Sequence, residues 1–164
     1  MVLAMGGAGA KKRPVDKLCE KLNEKGFEAF VYESPIDKMM KQIESGGKFD
    51  MNLYFAGKNA ISEFVSGQDL VISFFDVQGG HPTFGMSKGG GEIPWYVHEL
   101  PVVGISVNKP TMLADAPMLR TYINTYDAND DTMDALADAL VAGPDAFKGK
   151  DPIDSFCGLW DAKI

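Results

Sequence analysis

"DLVISFFDV", residues 69–77, is an almost unbroken run of apolar residues between Asp69 and Asp76. A strand with one wet face alternates apolar and polar residues. A continuous run of Val, Ile and Phe instead suits a strand covered on both faces, as in a parallel sheet between helical layers. "PVVGISV" (101–107) has the same character and reads as a second buried strand. "LRTYINTY" (119–126) alternates, which places it nearer an edge.

Working outward, strand and helix patterns take turns. "VLAMG" (2–6) is a short apolar run ending in glycines. "RPVDKLCEKLNEKG" follows, with Val15, Leu18, Cys19 and Leu22 on one helical face and Gly26 as its stop. "FEAFVYE" (27–33) is rich in aromatic and β-branched residues and reads as a strand. In "SPIDKMMKQIESGG", Ser34 is placed to cap, Pro35 suits the first helical position and Asp37 completes an S-x-x-D capping pattern. Ile36, Met39, Met40 and Ile43 form its apolar face, where methionines at that spacing are core packing.

"MNLYFAG" (51–57) reads as a strand and "KNAISEFVSG" as a short helix. "NDDTMDALADALVAG" is a helix whose acidic first turn suits the positive end of the helix dipole, with Gly143-Pro144 ending it. About six strands alternating with helices predict a single α/β domain over residues 1–164. The expected form is a three-layer α/β/α sandwich with a mostly parallel sheet, flavodoxin-like in outline. The tail 147–164 has no period but carries Phe156, Cys157 and Trp160, and is expected to pack back as an extended strap.

With 164 residues, 45% hydrophobic and 24% charged, the chain has the composition of one ordinary globular domain. Its net charge of −7 disfavours nucleic acid as a partner. Cys19 and Cys157 are far apart with no metal-ligand spacing, and are expected as buried free thiols in a reducing compartment. "MVLAMGGAGAKK" is too short in its apolar part for a signal peptide, and no apolar run reaches membrane-spanning length. The cytoplasm is the compartment these features favour, although an upstream segment could carry a signal of its own.

In open α/β sheets, ligands bind beyond the carboxyl ends of the strands. After the first strand stands "GGAGAKK", which fits neither dinucleotide nor P-loop spacing, because Lys12 occupies the third glycine's place. After the central strand comes "DVQGGHPTFGMSKGGG" (76–91), with Asp76 and His81 as a possible acid/base pair that lacks a third polar partner. In "MSKGGGEIPWYVHELP" (86–101), Glu92 has a structural role at the start of a short helix led by Pro94. Trp95, His98 and Glu99 lie off its apolar stripe of Ile93, Val97 and Leu100, and read as surface or interface groups. There is no H-x-x-x-H, so zinc is not indicated. No cofactor or metal is expected.

From residue 92 onward the order of motifs is more telling. "VVGISVNKP", "TMLADAP", "RTYINTY", "DTMDALADALVAG" and "FKGK" follow one another, and the chain closes on "DPIDSFCGLWDAKI". This series resembles the C-terminal α/β domain of family-three glycoside hydrolases, and its ending is similar to bacterial members of the β-N-acetylhexosaminidase branch. The likeness is specific over 92–164; over 1–91 it is a consistent order of elements. "NKP" departs from the family, which often has Asn directly before Pro.

The resemblance implies that the catalytic nucleophile belongs to a preceding (β/α)8 barrel, which is the expected partner. The glycan substrate would be met only through that parent protein. In β-glucosidase members the acid/base glutamate comes from this domain, but the loop 76–91 has none. In the hexosaminidase branch a barrel histidine serves instead, so the chain is expected to be inactive alone. Asp76, His81, Glu92, Trp95 and His98 are then candidates for substrate-proximal or interface roles, and none is expected to be catalytic. The alternative is a free-standing flavodoxin-like module that binds a nucleotide or other small ligand at the glycines of residues 6–9. A small self-contained hydrolase using Asp76, His81 or Glu92 is a third reading.

Overall fold

The computed structural model describes residues 2–6, 13–33, 35–52, 65, 67–76, 100–108, 110 and 119–150. Among the described residues, four strands make one all-parallel sheet in the order β1 (Val2–Gly6), β2 (Val71–Asp76), β3 (Val102–Ser106), β4 (Thr121–Asn124). Among the described residues, the helices with both ends in view are α1 (Pro14–Glu24), α2 (Pro35–Glu44) and α3 (Asp130–Ala142), and a 3-10 turn spans Pro144–Ala146. The fold is α/β with a parallel sheet, as the continuous apolar runs require. β2 is buried along Val71–Phe75, and β4 lies at the sheet's edge.

On the far side of β1 the segment 27–33 pairs through a single parallel bridge, Val2 with Val31. The full strand expected over 27–33 is not formed, and its pairing with β1 is confined to this bridge. The Asn23 side chain donates to the Ala29 carbonyl at 2.8 Å and accepts from the Ala29 N–H at 2.7 Å, so both backbone groups of Ala29 are already engaged. Two ladder bonds remain, Val2 N–H to the Phe30 carbonyl and Tyr32 N–H to the Val2 carbonyl. The chain therefore leaves β1 toward Val31, then returns past β1 to β2. α1 lies on the face of the sheet that α3 also covers.

One face carries the main apolar cluster. Val15, Leu18, Cys19 and Leu22 of α1, with Met133, Leu136 and Ala137 of α3, cover Val2, Ile72, Phe74 and Ile105. Each fully buried large side chain contributes about 1.5–3 kcal/mol. The other face presents Ser73, Phe75, Gly104, Ser106 and Tyr122, and is more polar.

Both α1 and α2 end the same way. After α1, Gly26 N–H donates to Asn23 and Phe27 N–H reaches back to Leu22, with Gly26 at a φ of 90°. That left-handed position explains the glycine, which a side chain would strain. After α2, Gly46 N–H donates to Ile43 and Gly47 N–H to Gln42. At the start of α3, the Asn129 side chain accepts from Thr132 N–H at 2.8 Å.

Met51 and Asn52 are helical rather than the start of a strand. The Asp50 carboxylate accepts from Asn52 N–H at 2.8 Å, an aspartate capping the turn it precedes. The rest of the expected strand, 53–57, and most of the expected helix after it lie outside the described residues, although Val65 is helical and fully buried. Residues 147–150 are exposed. The expected packing of 151–164 lies outside the described residues, as do Ser34 as a cap, the glycine turn beyond Gly6 and the helix led by Pro94.

Candidate functional site

All four strands point the same way, so their carboxyl ends form one edge, bearing Gly6, Asp76, Ser106 and Asn124. Connections from β1 and β2 run in opposite directions, which makes the gap between Gly6 and Asp76 the switch point where ligands bind in such sheets. Asp76 is half-buried there. Its Oδ1 accepts from the side-chain amide of Asn108 at 3.4 Å, a long hydrogen bond.

Two residues on this edge hold left-handed backbone. Asn108, just after β3, has a φ of 69°, and Tyr126, just after β4, a φ of 60°. Asparagine visits this region readily, whereas a bulky aromatic side chain there is a genuine outlier. The strained turn is held by Thr125, whose N–H donates to the Ser106 carbonyl at 3.0 Å and whose hydroxyl donates to the Asp127 carbonyl at 2.7 Å. The Asp127 carboxylate accepts from the backbone N–H groups of Ala128 and Asn129 and from the Asn129 amide. Its work is to fix the entry to α3.

Beside β1 the same edge carries two ion pairs. The guanidinium of Arg13 grips Asp16 through Nη2 at 2.7 Å and Nε at 3.0 Å, and Arg13 N–H donates to the same carboxylate at 3.2 Å. The hydrogen bond from Arg13 holds the Asp16 carboxyl below its usual range, against a smaller opposing effect of burial. Lys41 pairs with Glu33 and lowers its carboxyl likewise, chiefly through that hydrogen bond. The four charges sense one another, since Arg13 acts on Glu33 and Lys41 on Asp16. Each is paired with its own neighbour: Arg13 with Asp16 closes the start of α1, and Lys41 with Glu33 ties α2 to the segment before it.

Among the described residues, what remains for chemistry is Asp76 with Asn108, a carboxylate acceptor and an amide that can offer both a donor and an acceptor. Such a pair suits hydrogen bonding to a hydroxyl-rich ligand. Retaining hydrolysis needs two carboxyl groups about 5 Å apart, and Asp127 and Asp16 are committed to structural bonds. Of the sequence candidates, Asp76 stands at the switch point; His81, Glu92, Trp95 and His98 lie outside the described residues. Asn108 and Tyr126 were not singled out from sequence. The signal for Asn108 was an Asn directly after a buried strand; Tyr126 had none, because its backbone is set by Thr125 and Ser106.

No family model matches the chain. A beta-N-acetylglucosaminidase/beta-glucosidase of Cellulomonas fimi is 41% identical over 75 residues, which are 46% of this chain and 13% of that protein. The solved structure of beta-glucoside phosphorylase BglX bound to 2FGlc superposes with a TM-score of 0.60 at 24% identity, covering 96% of this chain. The resemblance to the C-terminal α/β domain of family-three glycoside hydrolases is borne out. The chain spans 26% of the BglX chain, so its likeness is to one part of a larger protein.

Proposed function

We propose that this chain is the C-terminal accessory domain of a family-three glycoside hydrolase of the β-N-acetylhexosaminidase type. It packs on a (β/α)8 catalytic barrel and is inactive alone. The observation that carries this reading is the 41% identity to the Cellulomonas fimi enzyme over only 13% of that enzyme's length. Among the described residues the switch point carries Asp76, and hydrolysis with retention needs a second carboxyl group.

In this reading the carboxyl edge faces the barrel. Asp76, steadied by Asn108, accepts hydrogen bonds from sugar hydroxyls, and the loop that follows it, with His81, Glu92, Trp95 and His98, borders the substrate or the barrel surface.

The test is hydrolysis of aryl β-N-acetylglucosaminide and aryl β-glucoside by the 164-residue chain and by the chain joined to its upstream barrel. Activity only in the joined protein, higher on the acetamido sugar, is expected. Asp76→Ala in the joined protein should then raise KM with little change in stability. Turnover by the 164 residues alone would overturn the accessory reading, and preference for the glucoside would overturn the branch.

A further inference from the structure

β2, β3 and β4 end side by side, and each hands a different side chain to the carboxyl edge. Phe75 pairs with Ser106, and Ser106 with Asn124. The ladder runs one step further in both gaps, since Val107 N–H donates to the Phe75 carbonyl at 3.1 Å and Thr125 N–H to the Ser106 carbonyl at 3.0 Å. Asp76 therefore stands one residue past the last β2 pair with β3, while Asn108 and Tyr126 each stand two residues past the pair of Ser106 with Asn124. At the usual strand spacing of about 4.8 Å, these three neighbouring strand ends span roughly 10 Å.

Asn108 and Tyr126 thus occupy equivalent places on adjacent strand ends, and both have left-handed backbone, with φ of 69° and 60°. Asparagine adopts that conformation readily, but a tyrosine there is strained, and such strain gathers at ligand-binding edges. The strain does not serve the core, because Tyr126 is 40% exposed. Of the large apolar side chains exposed among the described residues, Tyr126 is the one that follows the carboxyl end of a strand.

We infer that Tyr126 is a stacking platform for a pyranose ring, the third member of a sugar-recognition row with Asp76 and Asn108. One face of a β-pyranoside presents C–H groups of slight positive charge, which suit the negative face of an aromatic ring. The hydroxyls around the sugar both donate and accept, and the row matches them with a carboxylate that accepts and an amide that does both. A phosphate-bearing ligand fits less well. Among the described residues the cations near this edge, Arg13 and Lys41, are each paired with a carboxylate, which leaves the row suited to a neutral polyol. The inference rests on the reading that this edge meets the substrate, and adds the residue that holds the sugar's apolar face.

The test is a titration of the 164-residue chain with methyl β-N-acetylglucosaminide and with methyl β-glucoside, followed by amide NMR shifts. Saturable shifts are expected at Thr125, Tyr126 and the Asn108 side-chain amide. Tyr126→Asn removes the ring but suits left-handed backbone, so it should melt no lower than the parent. Its Kd should nevertheless rise about three-fold to ten-fold, the usual worth of an aromatic contact. Tyr126→Phe keeps the ring and should bind as the parent does. Unchanged affinity in Tyr126→Asn would overturn the inference, as would an absence of shifts at these residues with either sugar. Failure of the accessory reading shows separately, as turnover by the unsubstituted 164 residues. A preference for the glucoside would overturn the branch alone, because both sugars present the same apolar face to Tyr126.

Discussion

Gly104 of β3 and Tyr122 of β4 are register partners, and a Cβ on Gly104 would stand 2.6 Å from the Tyr122 ring and 2.7 Å from Leu119 Cδ1. The glycine exists because the next strand lays a ring across it, and that ring also tilts against Phe75 at 6.3 Å between centroids. Gly104→Ala should destabilise by about 1–3 kcal/mol, the usual cost of overpacking a core. Urea unfolding measures it. In a Tyr122→Leu background the same substitution should cost clearly less, because the two residues share one contact. Equal costs in both backgrounds would mean the ring is not the obstacle.

The pH dependence of stability has a defined contribution from Asp16. Its carboxyl is held below the usual range by Arg13 in the folded chain, so the folded state binds fewer protons there than the unfolded one. The stabilisation is complete above the unfolded carboxylate value of about 3.9 and is lost as pH falls through the lower folded value. Asp16 is 41% exposed, so the effect is modest, within about 1 kcal/mol. The melting temperature of Asp16→Asn should lie below that of the parent at pH 7, with the gap closing toward pH 3. A gap that stays constant would show that the carboxylate's charge is not what stabilises.

α1 and α3 are joined along their outer side by Lys17 and Lys21 against Asp134, each at 3.8 Å, and by Lys25 against Asp138. These pairs are partly or largely solvated. Asp134→Asn and Asp138→Asn should each cost roughly 0.2–1 kcal/mol in low salt and less in 1 M salt. Asp134, shared by two lysines, should cost more. Thermal melts at two salt concentrations decide the order.

Cys19 is buried, and that burial pushes its thiol up to about 11. At pH 8 the thiolate fraction is then roughly 0.1%, compared with about a quarter for an ordinary thiol. Cys19 should resist iodoacetamide in the folded chain and react promptly in urea, as followed by peptide mass spectrometry. Rapid alkylation without denaturant would contradict the packing of α1 against the sheet.

The sequence by itself determined the elements whose cause is local. The spacing of Val15, Leu18, Cys19 and Leu22 is a property of one helix, and so is the αL glycine at Gly26. The unbroken "VISFFD" told of a strand covered on both faces, since every second residue would otherwise face water. Asp76 was legible as a candidate because it ends that strand.

Tertiary structure alone decided what depends on partners distant in sequence. The segment 27–33 meets β1 only through the bridge of Val2 with Val31, which no propensity for residues 27–33 contains. Lys25 meets Asp138 across 113 positions. Tyr126 takes its left-handed backbone because Thr125 is tied to the end of β3. Asn108 reaches Asp76 only once β2 and β3 lie side by side, and the switch point exists only because the crossovers reverse direction. Local pattern reports which residues must be buried. Which strand lies beside which, and so which side chains meet at an edge, is fixed when the whole set of crossovers closes around one core.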